Sequence, residues 1–405
     1  MKNKYLIPSF LILLSLLVGC NKEEKNIKLG ILHSLSGTLS ISEQAVVNAT
    51  LMAIDEINIG GGLLGKKIEP IVTDGESNID KFMDGAKDLI EKKQVKALFA
   101  CWTSQCRKAI LPIVEENNNL LFYPVQFEGL ENTKSIIYTG AAPNQQIIPG
   151  TIWALRHLGK RIYLVGTNSV FPRTAHRIIR SVSHLSFPLQ AKIVGDKYIP
   201  LGNYNFANII NDINKVKPDV IISTIHGDSN TAFIDAIKGA NLKHIPIMSF
   251  TLSENEIAKI GKEKLAGLYA TWSYFQHLDN LENRKFIERY KKRYGNDAAI
   301  GDAMVSAYIA VKLWAQTVKI ANSFEPSHVK RSIGHQTINS PAGIVYIDSN
   351  NHYLWKKVYI GQMQSNGLFK TIEAPDSTVA PTPYPVFHSK NDWDIIQQRI
   401  AKSLK

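Results

Sequence analysis

The residues best suited to chemistry gather in short turns, each following an apolar run. These turns are Ser34-Leu35-Ser36-Gly37-Thr38, Cys101-Trp102-Thr103-Ser104, Pro124-Val125-Gln126-Phe127, Thr167-Asn168-Ser169-Val170-Phe171, His226-Gly227-Asp228-Ser229-Asn230 and Phe250-Thr251-Leu252-Ser253-Glu254. They are rich in hydroxyls, carboxamides and aromatic rings and poor in charge. Hydroxyls and amides both donate and accept hydrogen bonds, and flat rings make the walls of small pockets, so the set suits recognition of a small, mostly neutral guest. Ser104 and Ser253 also stand where a helix N-cap would, which explains part of the serine content. Capping does not explain Trp102, Tyr123 and Phe171.

Catalytic readings find little to use. Gly60-Gly61-Gly62 follows a helical pattern and not a strand, so it is neither a dinucleotide nor a P-loop signature. There is no Gly-x-Ser-x-Gly elbow. Asp228 is the acid in the turns that could act as a base, but as a lone carboxylate it better suits accepting N–H groups or capping a helix. Histidines and cysteines do not fall at zinc-ligand spacing. We therefore expect no enzyme, no metal and no cofactor. Cys101 and Cys106, five apart at a strand-to-helix turn, read as two buried thiols.

The elements that must position these turns alternate. Ile27–Leu32 reads as a buried strand and Ser42–Ile59 as a helix, with Val46, Leu51, Ile54 and Ile57 on one side and the glycine triplet as its stop. Strand and helix patterns then follow one another to Met248. Strands separated by helices of about ten residues indicate βαβ units, hence parallel sheets with helices on both faces. Two such runs, roughly 27–140 and 141–265, predict an α/β protein of two Rossmann-like lobes. In such sheets guests bind at the carboxyl ends of strands, where the turns above lie. Asn350-Asn351 and Asn366-Gly367 signal turns between strands in the tail.

The N-terminus has a separate character. Lys2 and Lys4 precede an apolar stretch, Tyr5 to Val18, that is shorter than the roughly 20 residues a spanning helix needs. It matches a secretory signal. Leu17-Val18-Gly19-Cys20 resembles a bacterial lipobox, with Cys20 as the acylated residue and an acyl chain as the membrane tether. The 405 residues carry 47 Lys and Arg against 35 Asp and Glu, a net charge of +12. The basic residues are scattered and not interleaved with aromatics, so the charge reads as solvated surface, with no nucleic-acid partner.

Several runs resemble a known family. Ile27–Thr38, Gly65–Pro70, Cys101–Ser104, Arg107–Ala109, Leu121–Glu131, Tyr138–Gln146, Val170–Thr174 and Gly227–Asn230 resemble the urea-type substrate-binding proteins of ABC transporters and the short-chain amide receptors. Both lie in the type I periplasmic binding protein superfamily, and the resemblance runs from Ile27 to about Trp393. It implies two lobes joined by three crossings and closing over a guest. It divides the chain into a signal peptide at 1–19, a lipid-anchored linker at 20–26, a first lobe at 27–140 plus 270–335, and a second at 141–269 plus 336–395.

Carried over position by position, the amide-receptor pocket falls on Trp102, Ser104, Tyr123, Val125, Ser169 and Phe171. Trp102 stands where the amide receptors have Tyr, Val125 where they have Thr, and Ser169 and Phe171 where they have Tyr. Cys101–Ser104, Tyr123–Gln126 and Gly227–Asn230 look instead like the urea subgroup. Urea offers one carbonyl acceptor and four N–H donors. Asp228, the Gln126 carbonyl and serines such as Ser36 and Ser253 are expected to accept from it, and Ser104 and Tyr123 to donate. The expected role is an extracytoplasmic lipoprotein that hands urea or a short amide to ABC permease subunits. The alternatives are a branched-chain or other amino-acid binder, and an amide or urea sensor feeding a signalling partner.

Overall fold

The computed structural model describes residues 26–185 and 190–404. The expected signal sequence and lipidation site at Cys20 lie outside the described residues. The chain opens with β1 (Asn26–His33), α1 (Ser40–Ile59), β2 (Lys67–Asp74), α2 (Ile79–Lys87), β3 (Leu98–Ala100), α3 (Ser104–Glu116), β4 (Leu121–Tyr123) and β5 (Ile136–Tyr138). It crosses once and continues through α4 (Ile147–His157), β6 (Arg161–Thr167), α5 (Val170–Leu185), β7 (Lys192–Ile199), α6 (Ala207–Val216), β8 (Val220–Thr224), α7 (Ser229–Gly239), β9 (Ile247–Ser249), α8 (Glu254–Ile260) and β10 (Tyr269–Trp272). A second crossing returns it to α9 (Leu281–Tyr294), α10 (Asp302–Ala321), α11 (Pro326–Ser332), β11 (Thr337–Ser340), β12 (Gly343–Ile347) and β13 (Leu354–Trp355). A third leads to β14 (Tyr359–Met363), β15 (Phe369–Glu373) and α12 (Lys390–Ser403).

The first lobe carries a parallel sheet ordered β2-β1-β3-β4-β5. The second carries β15-β14-β10-β9-β8-β6-β7, parallel from β10 to β7, with β14 antiparallel to β10 and β15 antiparallel to β14. Both fit the expected α/β architecture. Strands in such sheets are covered on both faces and so are apolar almost throughout. β3, β4, β5 and β8 are wholly buried. One core fills the first lobe, and two others lie in the second, around Phe233 with Trp272 and around Phe171 with Trp393.

Val345, Ile347 and Leu354 pack in the first lobe's core, although the sequence reading allotted 336–395 to the second lobe. The physical reason is the small antiparallel sheet β11-β12-β13, joined to β5 by a bridge between Tyr138 and Tyr353. Two other expectations are corrected at one turn. Cys101 and Cys106 form a disulfide, with Cα atoms 5.7 Å apart. Cys101 adopts φ +70°, which turns the chain sharply off β3, and the first turn of α3 then carries Cys106 back over it. The cap of α3 is Thr103, whose Oγ1 accepts the Cys106 N–H at 3.1 Å; Ser104 is the first helical residue. No helix among the described residues is long and apolar enough to cross a membrane.

Candidate functional site at the interlobe cleft

On the first lobe, the turns after β3 and β4 are tied together by a buried cation. The Arg107 guanidinium bonds Glu128, Glu131 and the Ser104 hydroxyl, each at 3.0 Å, and lies 4.8 Å from the ring centroids of Tyr123 and Phe127. Ser104 Oγ in turn donates to Glu128 at 2.5 Å. Burial opposes charge on Arg107, but Glu131 and Glu128 outweigh it and keep it firmly protonated. Burial likewise pushes the Glu131 carboxyl up, yet Arg107 and Lys108 hold it down at about 2. Burial raises the Tyr123 phenol, which donates to the Trp102 carbonyl at 2.7 Å. The hydroxyls of Ser104 and Tyr123, expected to donate to a guest, are thus committed inside the protein.

On the second lobe, His226 lies at the end of β8, its ring 5.6 Å from Phe171. Burial pulls its imidazole down to about 4, so it is neutral. Asp228 Oδ2 accepts the Tyr204 hydroxyl at 2.5 Å. Ser253 forms a capping box at the start of α8, with its N–H and hydroxyl on Glu256 at 3.0 and 2.7 Å. Burial pushes the neighbouring Glu254 up to about 8, against the Gln276 N–H that bonds it at 2.9 Å. Near the second crossing Asp302 accepts the Ser273 N–H at 3.0 Å, and burial raises its carboxyl too.

The two lobes touch directly. The Asp228 N–H donates to the Thr38 carbonyl at 3.3 Å, and Lys259 Nζ to the Ile41 carbonyl at 2.6 Å. Gly227 sits at φ +67°, and a Cβ there would stand 2.7 Å from the Thr38 oxygen. Gly227→Ala should therefore hold the lobes apart as well as strain the backbone by about 1–2 kcal/mol. Small-angle scattering should then report a larger radius of gyration than wild type at unchanged helicity. An unaltered radius would show that this contact does not keep the lobes together.

Gln126 crosses the cleft, its Nε2 donating to the Phe250 carbonyl at 3.0 Å, and Gln146 Nε2 reaches the same oxygen at 3.3 Å. A carbonyl can only accept, so both carboxamide orientations are fixed. The Oε1 atoms of Gln126 and Gln146 are then buried without a protein partner, as are Trp102 Nε1, His226 Nδ1, Asp228 Oδ1, Ser229 Oγ, Asn230 Oδ1, Glu254 Oε2, Ser273 Oγ and Asp302 Oδ2. An unpaired buried polar group costs about 1–3 kcal/mol. Those named stand at strand ends, helix starts and crossings of both lobes, which makes this region the candidate site.

Of the sequence-predicted residues, Trp102, Gln126 and Asp228 each carry one of these unpartnered atoms, Phe171 packs in the second lobe's core beside the His226 ring, and Val125 is buried next to Gln126. Ser169 is half-buried just before α5. Ser36 is exposed and donates to Asp74 at 2.7 Å, so the structure does not bring it into the buried set. Gln146, Asn230 and Glu254 also carry such atoms and were not among the residues expected from the sequence. Asn230 and Glu254 stood in turns already singled out, and Gln146 in a quoted run. Among the described residues there is no group of three or more His, Cys, Asp or Glu that could hold a metal ion.

Comparison with known proteins gives likenesses that span most of the chain and one that does not. The profile of the periplasmic binding protein domain matches residues 27–390. The Leu/Ile/Val-binding protein homolog 8 of Brucella abortus is 19% identical over 391 residues, spanning 88% of this chain and 92% of that one. A limonene hydroxylase of Geobacillus stearothermophilus is 32% identical over 124 residues; the match covers 31% of this chain and 23% of that protein. Among solved structures, a solute-binding protein of an ABC transporter from R. palustris, in complex with 4-hydroxybenzoate, superposes with a TM-score of 0.79 at 20% identity, over 87% of this chain and 98% of that one. The LivJ substrate-binding protein of Streptococcus pneumoniae, in complex with isoleucine, gives 0.76 at 20% identity, over 88% and 100%.

Proposed function

Because this chain belongs to the periplasmic binding protein family, we propose that it is an extracytoplasmic solute-binding subunit of an ABC transporter that closes its two lobes on urea or a closely related short amide. The observation that carries the reading is the hydrogen-bonding imbalance of the cleft. Gln126 Oε1, Gln146 Oε1 and Asn230 Oδ1 lack donors, while the Trp102 indole N–H lacks an acceptor. A guest with several N–H groups and one carbonyl supplies both, and urea has four and one. A site with its acceptors so matched rejects analogues lacking an N–H, because its own buried groups then stay unpaired. Charge agrees: Arg107 is enclosed by Glu128 and Glu131, and His226 is neutral. Hinge closure is the coupling step that the permease subunits read. Acylation of Cys20 in the Leu17–Cys20 motif would tether the protein beside them.

A second reading, an α-amino acid, draws on Glu254 and Asp302, whose unpartnered Oε2 and Oδ2 atoms suit an ammonium. An ammonium would ionise Glu254, so amino-acid binding at pH 7 should release a proton. Urea binding should release none. Calorimetric titration with urea, acetamide, formamide, leucine and 4-hydroxybenzoate, in buffers of different ionisation enthalpy, separates the readings. We expect urea to saturate and to raise the melting temperature by mass action. Leucine or benzoate binding without a response to urea would overturn the proposal. Trp102→Ala and Gln126→Ala should each weaken urea binding about tenfold or more, the loss of one buried hydrogen bond. Titrations unchanged by both would remove these residues from the site.

A further inference from the structure

Outside the cleft, the second lobe carries a cavity of about 750 Å³ between α5, β7 and α12. Arg173, Arg177, Arg180 and His184 lie on α5 at spacings of four, three and four residues, which puts them along one helix face. Arg399 on α12 and His388 before it line the opposite wall. The cavity's carboxylate, Asp196, is already bonded by Arg180 at 2.6 Å and His176 at 2.7 Å. Arg173 lies 4.4 Å from the Tyr198 ring centroid, with its Nε on Asn168. Arg177 and Arg399 are exposed, and no carboxylate pairs with them among the described residues.

Like charges at these spacings repel. Guanidinium groups from two elements converging on one concavity offer planar forks, each able to pair two oxygens of a phosphate. We propose that this cavity is a second binding site, for a phosphate-bearing anion, independent of the solute held in the cleft. Two sources share that chemistry, a soluble phosphate compound and the headgroup of an anionic phospholipid.

The test uses the full chain in detergent, titrated calorimetrically with inorganic phosphate and with inorganic pyrophosphate. In parallel, the chain is cosedimented with phosphatidylcholine vesicles with and without phosphatidylglycerol. The same measurements are made on Arg177→Ala/Arg399→Ala and on the single variant Arg399→Gln. Both positions are exposed, and an unchanged melting curve verifies the fold. Comparing wild type with variant on the same vesicles cancels whatever the N-terminal segment contributes.

We expect binding that falls with added salt and weakens about tenfold or more in the double variant, with a smaller loss in Arg399→Gln. Binding of the soluble anions assigns a soluble ligand; a variant-sensitive preference for phosphatidylglycerol alone assigns the lipid. No binding in any arm, or binding undiminished in the double variant, overturns the proposal. Because urea is titrated separately, failure here leaves the cleft reading standing, and the reverse also holds.

Discussion

Replacing Arg107 by alanine should destabilise the protein by about 3–5 kcal/mol, the usual effect of removing one partner of a buried ion pair. The guanidinium is fully buried, as is Glu128, and Glu131 is nearly so. Without Arg107 two carboxyl groups are left in an apolar setting beside Tyr123 and Phe127. The effect has a pH signature. Glu131, held at about 2 in the folded chain and at about 4.5 unfolded, contributes stability that is present above 4.5 and lost as pH falls toward 2. The gap between wild type and variant should therefore narrow over that window. Arg107→Lys should fall between the two, since it keeps the charge and loses the fork. Guanidinium unfolding is the measurement, because urea is the proposed ligand. A loss below about 1 kcal/mol, within the range of exposed pairs, would contradict this account.

Replacing Glu254 by glutamine should do the reverse and stabilise the protein near neutrality. The folded carboxyl stays protonated up to about 8, while in the unfolded chain it ionises near 4.5. Between these values the folded state holds a proton that the unfolded state has released, so stability falls as pH rises. The term is absent below 4.5, reaches about 3 kcal/mol at pH 7 and levels off above 8. Glutamine keeps the Oε1 that accepts from Gln276 and an N–H in place of the carboxylic proton. The variant should accordingly match wild type at pH 4 and exceed it by about 3 kcal/mol at pH 7. Parallel stability profiles would mean that Glu254 is ionised in the fold.

Much of this architecture was legible in the residues. Buried parallel strands are apolar almost throughout, so β1, β6 and β8 announce themselves, and Gly61 and Gly62, just past the end of α1, take backbone conformations that favour glycine. What escaped were elements too short to show a period, such as β5 with its three residues, and elements whose partners come from far along the chain, such as β11–β13 against the first lobe. The site followed the same division. Trp102 and Gln126 stand out in the sequence as candidates because strand-end turns concentrate polar and aromatic groups, and both carry an unpartnered buried atom. The engagement of Ser104 was hidden because its acceptor, Glu128, arrives from the next strand-end segment, 24 residues away. The disulfide was missed because nothing in a five-residue spacing reveals that Cys101 takes a left-handed conformation. The arginine-lined cavity was invisible because its far wall is α12, more than two hundred residues beyond α5.

The clasp between the lobes at Thr38 and Asp228 has a corollary for how such a molecule diversifies. Both partners there are peptide groups, so the clasp depends on side-chain identity only through the space that Gly227 leaves for the Thr38 carbonyl, whereas the groups proposed to face the guest belong to Trp102, Gln126, Gln146 and Asn230. Cargo preference can thus drift through point replacements while the shut outline stays constant, and one docking machine could serve descendants that carry quite different freight.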